Sequence, residues 1–292
     1  MFKKIIFSFA ALLSFPFVLN AKIIETNEIK DILEEIDEDT LVLFDMDDTL
    51  TDSSISLGTG AWRQYVRAQI ASDYDTKAPA NPHDVMAHAA AQNIPVKPVE
   101  PDLVPLIESL QDKHVAVFCL TGRGYSMWYS TPMEGIGQMS VKQLDSIEID
   151  FTDTAVPKPF QSIDPTVLYH GVFLTSGTKK GPFLEKLFQD TGYRPTKVVF
   201  IDDKLEENKS VESTLDKLGI PNVCVWYHRA QANNQEFNPL IASIQLEAFL
   251  NDQTILSDKE AKEKADTMKE IDPDEFFRRL IATHFPKETK EP

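Results

Sequence analysis

Four short hydrophobic segments constrain this chain more than any other feature, because no polar residue alternates with the apolar ones inside them. They cover residues 41–44, 115–120, 198–201 and 223–226, and a weaker fifth segment covers residues 172–174. Strands covered by helices on both faces have this composition, whereas a strand with one solvent-exposed face alternates apolar and polar residues. The segments therefore predict an α/β protein whose mostly parallel central sheet lies between two layers of helices.

Helical patterns lie between the predicted strands, at residues 102–112, 182–190 and 208–218. The last two end at Gly192 and Gly219, which is typical of a helix C-terminus. Two further patterns, 61–70 and 84–92, fall in a stretch that interrupts the alternation, and Ser257 and Glu260 have the spacing of a capping box. We predict a Rossmann-like three-layer core from residues 22–52 and 101–292, including a C-terminal helical extension, with a small helical insertion over 53–100.

Residues 1–21 have the pattern of a secretory signal peptide. Two lysines precede an apolar run over residues 5–19, and Ala21 supplies a small residue where a signal peptidase would cut. The run is shorter than the roughly 20 residues that a membrane-spanning helix needs, and an uncleaved anchor is the alternative. We expect an exported protein, periplasmic or secreted, with no stable membrane association after cleavage.

The two cysteines, Cys119 and Cys224, both fall inside predicted strands. An oxidising compartment would permit a disulfide, but cysteine in a buried strand usually acts as a small hydrophobic residue. We therefore expect two free thiols.

The charge balance is strongly acidic. There are 46 acidic against 29 basic residues, for a net charge of −17, and removal of the two lysines in residues 1–21 takes it to −19. Nucleic-acid binding needs clustered lysine and arginine, and anionic lipid attracts basic segments. We expect no nucleic-acid partner and no docking on an anionic membrane surface.

Carboxylates end two of the predicted strands abruptly. Asp45, Asp47 and Asp48 follow the segment at 41–44, and Asp202 and Asp203 follow the segment at 198–201. Strand ends of a parallel sheet meet at one edge, which is where such folds bind ligands. Closely spaced carboxylates repel one another unless a cation neutralises them. The two strand ends therefore predict a shared divalent-cation site.

Two other positions suggest contacts to an anion. Thr121 ends the segment at 115–120 and precedes a glycine turn, so its hydroxyl could hydrogen-bond a phosphoryl oxygen. Lys180 stands at the start of the helix around 182–190, where an ammonium group and a helix N-terminus together favour an anion. Each signal is weak alone, because glycine turns and surface lysines are common.

In this order the motifs resemble those of the haloacid dehalogenase-like superfamily, over roughly residues 38–228 without the insertion. The family's motif Asp-x-Asp-x-Thr matches residues 45–49, its strand-terminal Ser/Thr matches Thr121, its lysine matches Lys180, and its acidic pair matches Asp202 and Asp203. The resemblance extends to a poorly characterised exported subgroup and implies a HAD-like fold with a small helical cap at 53–100, but no particular substrate.

The resemblance also implies a mechanism, in which Asp45 attacks phosphorus to form an aspartyl-phosphate. Asp47 would act as general acid and base, and its presence where the family's transporter-type ATPases have threonine favours hydrolysis. Mg²⁺ would bind the Asp45 carboxylate, the Asp47 backbone carbonyl and one acid of the pair, with Asp203 on the ion and Asp202 alongside. Lys180 and Thr121 would stabilise the phosphoryl oxygens.

These patterns predict a Mg²⁺-dependent phosphomonoester hydrolase acting on a small phosphorylated substrate. A phosphotransferase of the same fold and a catalytically idle exported binding protein remain the alternatives. Glu207 and Asn208 could support the ion or simply begin a helix. Several aromatic residues and arginines could contact a substrate, but we favour a simpler interpretation, in which the aromatic rings pack inside the protein and the arginines face solvent. These residues are Trp62, Arg63, Tyr65, Arg67, Arg123, Trp128 and Tyr129.

Overall fold

The computed structural model describes residues 22–75, 78, 80–129, 131–268 and 271–286, so the predicted signal peptide lies outside the described residues. The strands are, in chain order, β1 (Lys22–Thr26), β2 (Thr40–Phe44), β3 (Thr51–Ser53), β4 (Val96–Pro98), β5 (Ala116–Thr121), β6 (Met127–Trp128), β7 (Thr131–Pro132), β8 (Leu168–Tyr169), β9 (Val172–Leu174), β10 (Lys197–Asp202) and β11 (Asn222–Tyr227). The helices are α1 (Gly60–Ile70), α2 (Pro82–Asn93), α3 (Leu103–Asp112), α4 (Ile136–Asp145), α5 (Lys180–Thr191), α6 (Leu205–Leu218), α7 (Arg229–Asn233), α8 (Pro239–Asp252), α9 (Asp258–Thr267) and α10 (Pro273–His284). Two 3₁₀ helices cover Ile29–Glu35 and Lys158–Ser162.

Seven strands form the central sheet, in the order β1-β11-β10-β2-β5-β9-β8. Every neighbouring pair is parallel except β8 with β9, at one edge. The five predicted hydrophobic segments are β2, β5, β9, β10 and β11, so the prediction of a mostly parallel sheet is confirmed. At the centre Phe44 of β2 is in register with Ile201 of β10 and Cys119 of β5, which brings three strand ends together.

The sheet is the middle of three layers. Val42 and Phe44 of β2 pack into one hydrophobic cluster, with α3 and the end of α4. Leu41 and Leu43 point the other way, into a second cluster with α5 and α6. All four side chains are fully buried, because successive residues of a strand face opposite sides of a sheet that helices cover on both.

Strand β1 adds an edge that the sequence analysis did not predict. It pairs in parallel with β11, from Lys22 with Val223 to Thr26 with Tyr227. With only five residues directly after the predicted signal peptide, this segment has no sequence pattern that separates it from the apolar run before it. Helix α4 was also not predicted.

The chain enters and leaves the 53–100 stretch through an antiparallel pair, β3 with β4. Helices α1 and α2 of this stretch share one hydrophobic cluster with α8 and α10, represented by Trp62, Met86, Leu246 and Phe277. Helices α8 and α10, which the sequence analysis assigns to the core's C-terminal extension, therefore pack against the insertion. Helix α9 begins with the predicted capping box at Ser257, and Gly192 and Gly219 have positive φ angles at the ends of α5 and α6. Within the described part of the chain, no helix is long and apolar enough to cross a bilayer.

The cysteines provide a direct solution test of this core. Cys119 and Cys224 are free and have no exposed surface, as expected from their strand positions. Burial also raises the pKa of both thiols, which disfavours the reactive thiolate. We expect Ellman's reagent to react with neither thiol in the native protein and with two per chain after denaturation without reductant. Absence of reactive thiols in the denatured, unreduced chain would contradict this.

Candidate active site

Three buried carboxylates meet at the carboxyl edge of the sheet. Asp45 directly follows β2, Asp202 is the last residue of β10, and Asp203 comes next. Because β2 and β10 are neighbours, one potential ligand atom from each of these three residues lies within 4.8 Å of the others. The exposed fraction of each is 6% or less. The structure thus brings together the acidic ends of the two segments, as expected from the parallel topology.

Lys180 joins the acidic group from the first position of α5. Its Nζ donates to Oδ1 of Asp45 and, at 2.5 Å, to Oδ2 of Asp202. Gly181 allows α5 to approach α6 here, since a Cβ at this position would lie 2.3 Å from the Ser210 carbonyl oxygen. The backbone N–H of Lys180 donates to the Glu207 carboxylate at 3.0 Å. The start of α5 is therefore capped by Glu207, and the ammonium group, rather than an open helix N-terminus, faces the site.

The remaining oxygens of the acidic group fit a hard divalent cation. Asp45 Oδ2 and Asp203 Oδ1 are buried and accept no hydrogen bond from the described residues. Both oxygens of Asp202 are engaged, by Lys180 Nζ and, at 2.8 Å, by the backbone N–H of Lys204. Buried carboxylate oxygens without donors are costly unless a cation binds them, and Mg²⁺ prefers oxygen ligands. Asp45 and Asp203 could hold such an ion, while Asp202 orients the lysine.

The electrostatics of this group reflect its excess of negative charge. Burial raises the pKa of Asp45 to about 6, against the opposing effect of Lys180. Burial likewise raises the pKa of Asp203 well above its usual range. Burial would lower the pKa of Lys180, but the carboxylates of Asp202 and Asp45 outweigh it and keep the ammonium charged. The Lys180 ammonium contacts Asp45 and Asp202, while Asp203 Oδ1 lies 3.9 Å from the ammonium of Lys204, whose side chain is half-exposed.

Asp47 lies apart from this group and pairs with an arginine. Arg123 Nη2 and Nε donate to its two carboxylate oxygens at 2.5 and 3.0 Å, and Tyr129 donates its hydroxyl at 3.1 Å. Burial acts to raise the pKa of Asp47, but the Arg123 guanidinium outweighs it and holds this pKa well below the usual range. We interpreted Arg123 as solvent-facing; that was wrong, because its side chain is only 2% exposed.

The insertion also reaches the site. Arg63 of α1 donates from Nη2 to Asp48 Oδ2 at 2.5 Å and from Nη1 to the Gly58 carbonyl at 2.6 Å. Our solvent-facing interpretation of Arg63 was therefore also wrong. Asp48 has a positive φ of 66°. Gly60 lies so close to it that a Cβ at position 60 would be 2.5 Å from Asp48 Oδ2, so only glycine fits at position 60. This ion pair fixes the start of the insertion against the first acidic motif.

The interpretation that Tyr129 only packs is also wrong, because its hydroxyl reaches Asp47. The other candidates lie as the simpler interpretation predicts. Trp62 is buried in the shared helical cluster, Arg67 is exposed, and Tyr65 donates its hydroxyl to Asp274 of α10 at 3.0 Å. Trp128 is buried, with its ring under the Arg123 guanidinium at 4.9 Å.

Two threonine hydroxyls accept backbone N–H groups at the strand ends. Thr121 is fully buried at the end of β5, and its hydroxyl accepts from the backbone N–H of Arg123 at 3.3 Å. The Thr49 hydroxyl accepts from the backbone N–H of Asp203 at 3.1 Å, joining the first motif to the last. Asn208 donates to the Asp202 carbonyl at 2.9 Å, and its own Oδ1 is buried without a donor among the described residues. These contacts hold the turns that carry the acidic side chains.

Fold and site together define an α/β protein with a mostly parallel sheet, whose carboxyl edge carries a buried acidic centre and one lysine. The chain belongs to the family described as a protein of unknown function, DUF2608, whose family model matches residues 22–262. A Chlamydia pneumoniae relative named "Putative outer membrane protein" is 23% identical over 237 residues, covering 78% of this chain and 86% of that protein. A relative with the same designation from Chlamydia trachomatis serovar D is 24% identical over 247 residues, covering 82% and 88%. No solved structure matches the chain.

Proposed function

We propose that this protein is a Mg²⁺-dependent phosphomonoester hydrolase with a HAD-like fold, acting through an aspartyl-phosphate. One observation carries the proposal: Asp45 and Asp203 have buried oxygens without donors, beside the Lys180 ammonium at the carboxyl edge of the sheet. A carboxylate nucleophile, a divalent-cation site and a fixed positive charge are what transfer of a phosphoryl group needs.

The first step would be attack by a carboxylate oxygen of Asp45 on the substrate's phosphorus. The bond from phosphorus to the leaving oxygen breaks, and that oxygen departs as the anion where it is acidic enough, or otherwise as the alcohol, taking a proton from Asp47 as general acid. In the second step water attacks phosphorus, the bond to Asp45 breaks and inorganic phosphate leaves. Asp47 takes the proton from the attacking water as general base, the role that its ionised state beside Arg123 favours.

Mg²⁺ bound by the carboxylates of Asp45 and Asp203 and the backbone carbonyl of Asp47 would offset negative charge on the transferring phosphoryl group. Lys180 would donate to phosphoryl oxygens while it remains oriented by Asp202. Thr121, at the next strand end, would donate its hydroxyl to a phosphoryl oxygen while it accepts the backbone N–H of Arg123. Apart from the Asp47 carbonyl, each of these roles uses a side chain that the fold holds buried at the same edge.

The insertion at 53–100 would serve as a cap over the site, since Arg63 contacts Asp48 and small residues of α2, Ala87 and Ala90, line a cavity beside Asp47. Caps of this kind exclude water and select the leaving group. The substrate we propose is a small phosphorylated molecule. The names of the chlamydial relatives and the leader pattern support an exported or envelope location.

Mg²⁺ binding is testable without any assay of activity. We expect Mg²⁺ to stabilise the protein against thermal unfolding, by about 2.7 kcal/mol when the free ion is at about 100 times its Kd. Asp203→Asn should lose most of this stabilisation because it removes a carboxylate ligand. Asp164→Asn, an exposed acid away from the site, is the control and should respond like the wild type. Equal stabilisation of both variants would contradict the metal site.

The same protein should hydrolyse p-nitrophenyl phosphate in Mg²⁺ and stop in EDTA. The two alternatives give different results in this assay. An idle binding protein would show the Mg²⁺ stabilisation without turnover. A phosphotransferase would release nitrophenolate faster when an alcohol acceptor is added, with less than one inorganic phosphate per nitrophenolate.

A further inference from the structure

Arg123 is the most completely engaged charged side chain near the site. It is 1% exposed although it carries a full charge. Its Nε and Nη2 donate to both oxygens of Asp47, and its Nη1 donates to Gln143 Oε1 at 2.6 Å and to Ser140 Oγ at 3.2 Å. The face of the guanidinium lies against Trp128. It therefore cannot reach a substrate without giving up contacts on several sides.

Helix α4 holds this arginine in place. Ser140 and Gln143 are one turn apart on α4 and both accept from the same Arg123 nitrogen. Gln143 also donates through Nε2 to the Ala91 carbonyl of α2 at 2.7 Å, and Ser140 donates to the Ile136 carbonyl at 2.9 Å. A bidentate arginine–carboxylate pair has a fixed geometry. An arginine whose far side is also fixed therefore sets the direction in which the carboxylate points.

We propose that Arg123, held by Gln143 and Ser140 of α4, is a positioning residue that fixes the Asp47 carboxylate for attack of water on the aspartyl-phosphate. The inference rests on the proposed function and adds to it a role for α4. Tyr129, whose φ of 50° is in the left-handed region, supplies the third donor to Asp47. Backbone strain of this kind persists where the surroundings enforce it, here where the hydroxyl reaches Asp47.

The kinetics of p-nitrophenyl phosphate separate this role from a structural one. Nitrophenolate leaves without a proton, so kcat/KM reports formation of the aspartyl-phosphate and does not depend on Asp47. Hydrolysis of the intermediate does depend on Asp47, and slower hydrolysis lowers kcat and KM together. Misplacing Asp47 should therefore lower kcat, leave kcat/KM unchanged and increase the fraction of enzyme trapped as phosphoenzyme after an acid quench.

Two variants test the inference against a matched control. Arg123→Lys keeps the charge but cannot bridge both oxygens, and we expect kcat to fall about 100-fold. Gln143→Met keeps the size of the side chain, touches neither Asp47 nor the acidic group, and should lower kcat about tenfold, the effect of one hydrogen bond. Gln138→Met, on the exposed side of α4, should match the wild type.

In both variants kcat/KM should stay near the wild-type value while trapped phosphoenzyme increases. Parallel loss of kcat and kcat/KM, or unchanged kcat in Gln143→Met, would overturn the inference and leave the proposed function intact. A wild-type protein that neither turns over nor forms a phosphoenzyme in Mg²⁺ would overturn the proposed function and this inference together. Should Arg123→Lys fail to fold, Gln143→Met decides alone.

Discussion

Replacing Asp45 with asparagine is expected to reduce kcat for p-nitrophenyl phosphate by at least about 10⁴-fold, as removal of other catalytic nucleophiles does. Asparagine has nearly the same shape but no negative charge with which to attack phosphorus. It also cannot form the acyl phosphate, so no phosphoenzyme should be trapped at any substrate concentration. Rapid quench and steady-state release of inorganic phosphate measure both quantities.

Stability measurements show whether Asp45→Asn loses activity because the nucleophile is absent or because the protein unfolds. Lys180 retains Asp202 as a partner in Asp45→Asn, so the free energy of unfolding should stay within about 1 kcal/mol of the wild type. Asp164→Asn, an exposed acid, should retain full activity. Mg²⁺-dependent turnover by Asp45→Asn at more than about 1% of the wild-type rate would remove Asp45 as nucleophile, because such a rate exceeds the expected remainder by at least 100-fold.

The acidic centre could be anticipated because it depends on topology that the sequence encodes locally. Uninterrupted apolar segments indicate strands buried on both faces, and such strands run parallel with their carboxyl ends together. Asp45 and Asp203 could be expected to meet for that reason alone, although they are far apart in the chain. Lys180 was indicated by its place at a helix start only together with the resemblance to the family's motifs, and its second partner, Asp202, required the register of β10 against β2.

The contact of Arg123 with Asp47 could not be predicted in this way. An arginine after a glycine turn looks the same in the sequence whether it faces solvent or a carboxylate 76 positions earlier. Which of the two occurs depends on α4, whose Gln143 and Ser140 supply the other hydrogen bonds. Helix α4 itself was not predicted, so the environment that buries Arg123 was missing from the sequence analysis.

The packing partners of the insertion helices could not be predicted from the sequence either. The apolar faces of α1 and α10 indicate that each must pack against something, but not that they share a cluster with each other. The residues involved, Val66 and Phe277 among them, lie more than 200 positions apart in the chain. Arg63 was misjudged for a related reason, since its partner Asp48 belongs to the core motif. Amphipathicity predicts burial, whereas the partner is set by the tertiary fold.

Lys180→Met should cause the largest loss of stability among the substitutions considered. The Lys180 ammonium lies between the carboxylates of Asp45 and Asp202. The Lys180 side chain is 6% exposed, and those of Asp45 and Asp202 are 4% and 0% exposed. Its removal leaves Asp45 and Asp202 buried without a counter-charge, a change that typically costs about 3–5 kcal/mol. Chemical denaturation at pH 7.5 in EDTA measures it. Lys186→Met, on the exposed side of the same helix, should change stability by no more than about 0.5 kcal/mol.

The pH dependence of this loss identifies its cause. The pKa of Asp45 is about 6 in the folded protein, above its ordinary value, so the folded state holds a proton more tightly than the unfolded chain does. The stability that this proton provides is therefore present at low pH and is lost as the pH rises through the folded pKa. Without Lys180 that pKa rises further, so the deficit of Lys180→Met should be small near pH 5 and grow toward pH 8.

Adding Asp202→Asn should recover part of the loss at pH 8, because one of the two unpaired charges is removed. A deficit that does not vary with pH and is not relieved by Asp202→Asn would show that the lysine stabilises the fold through the packing of its methylene groups, and not through the buried ion pairs.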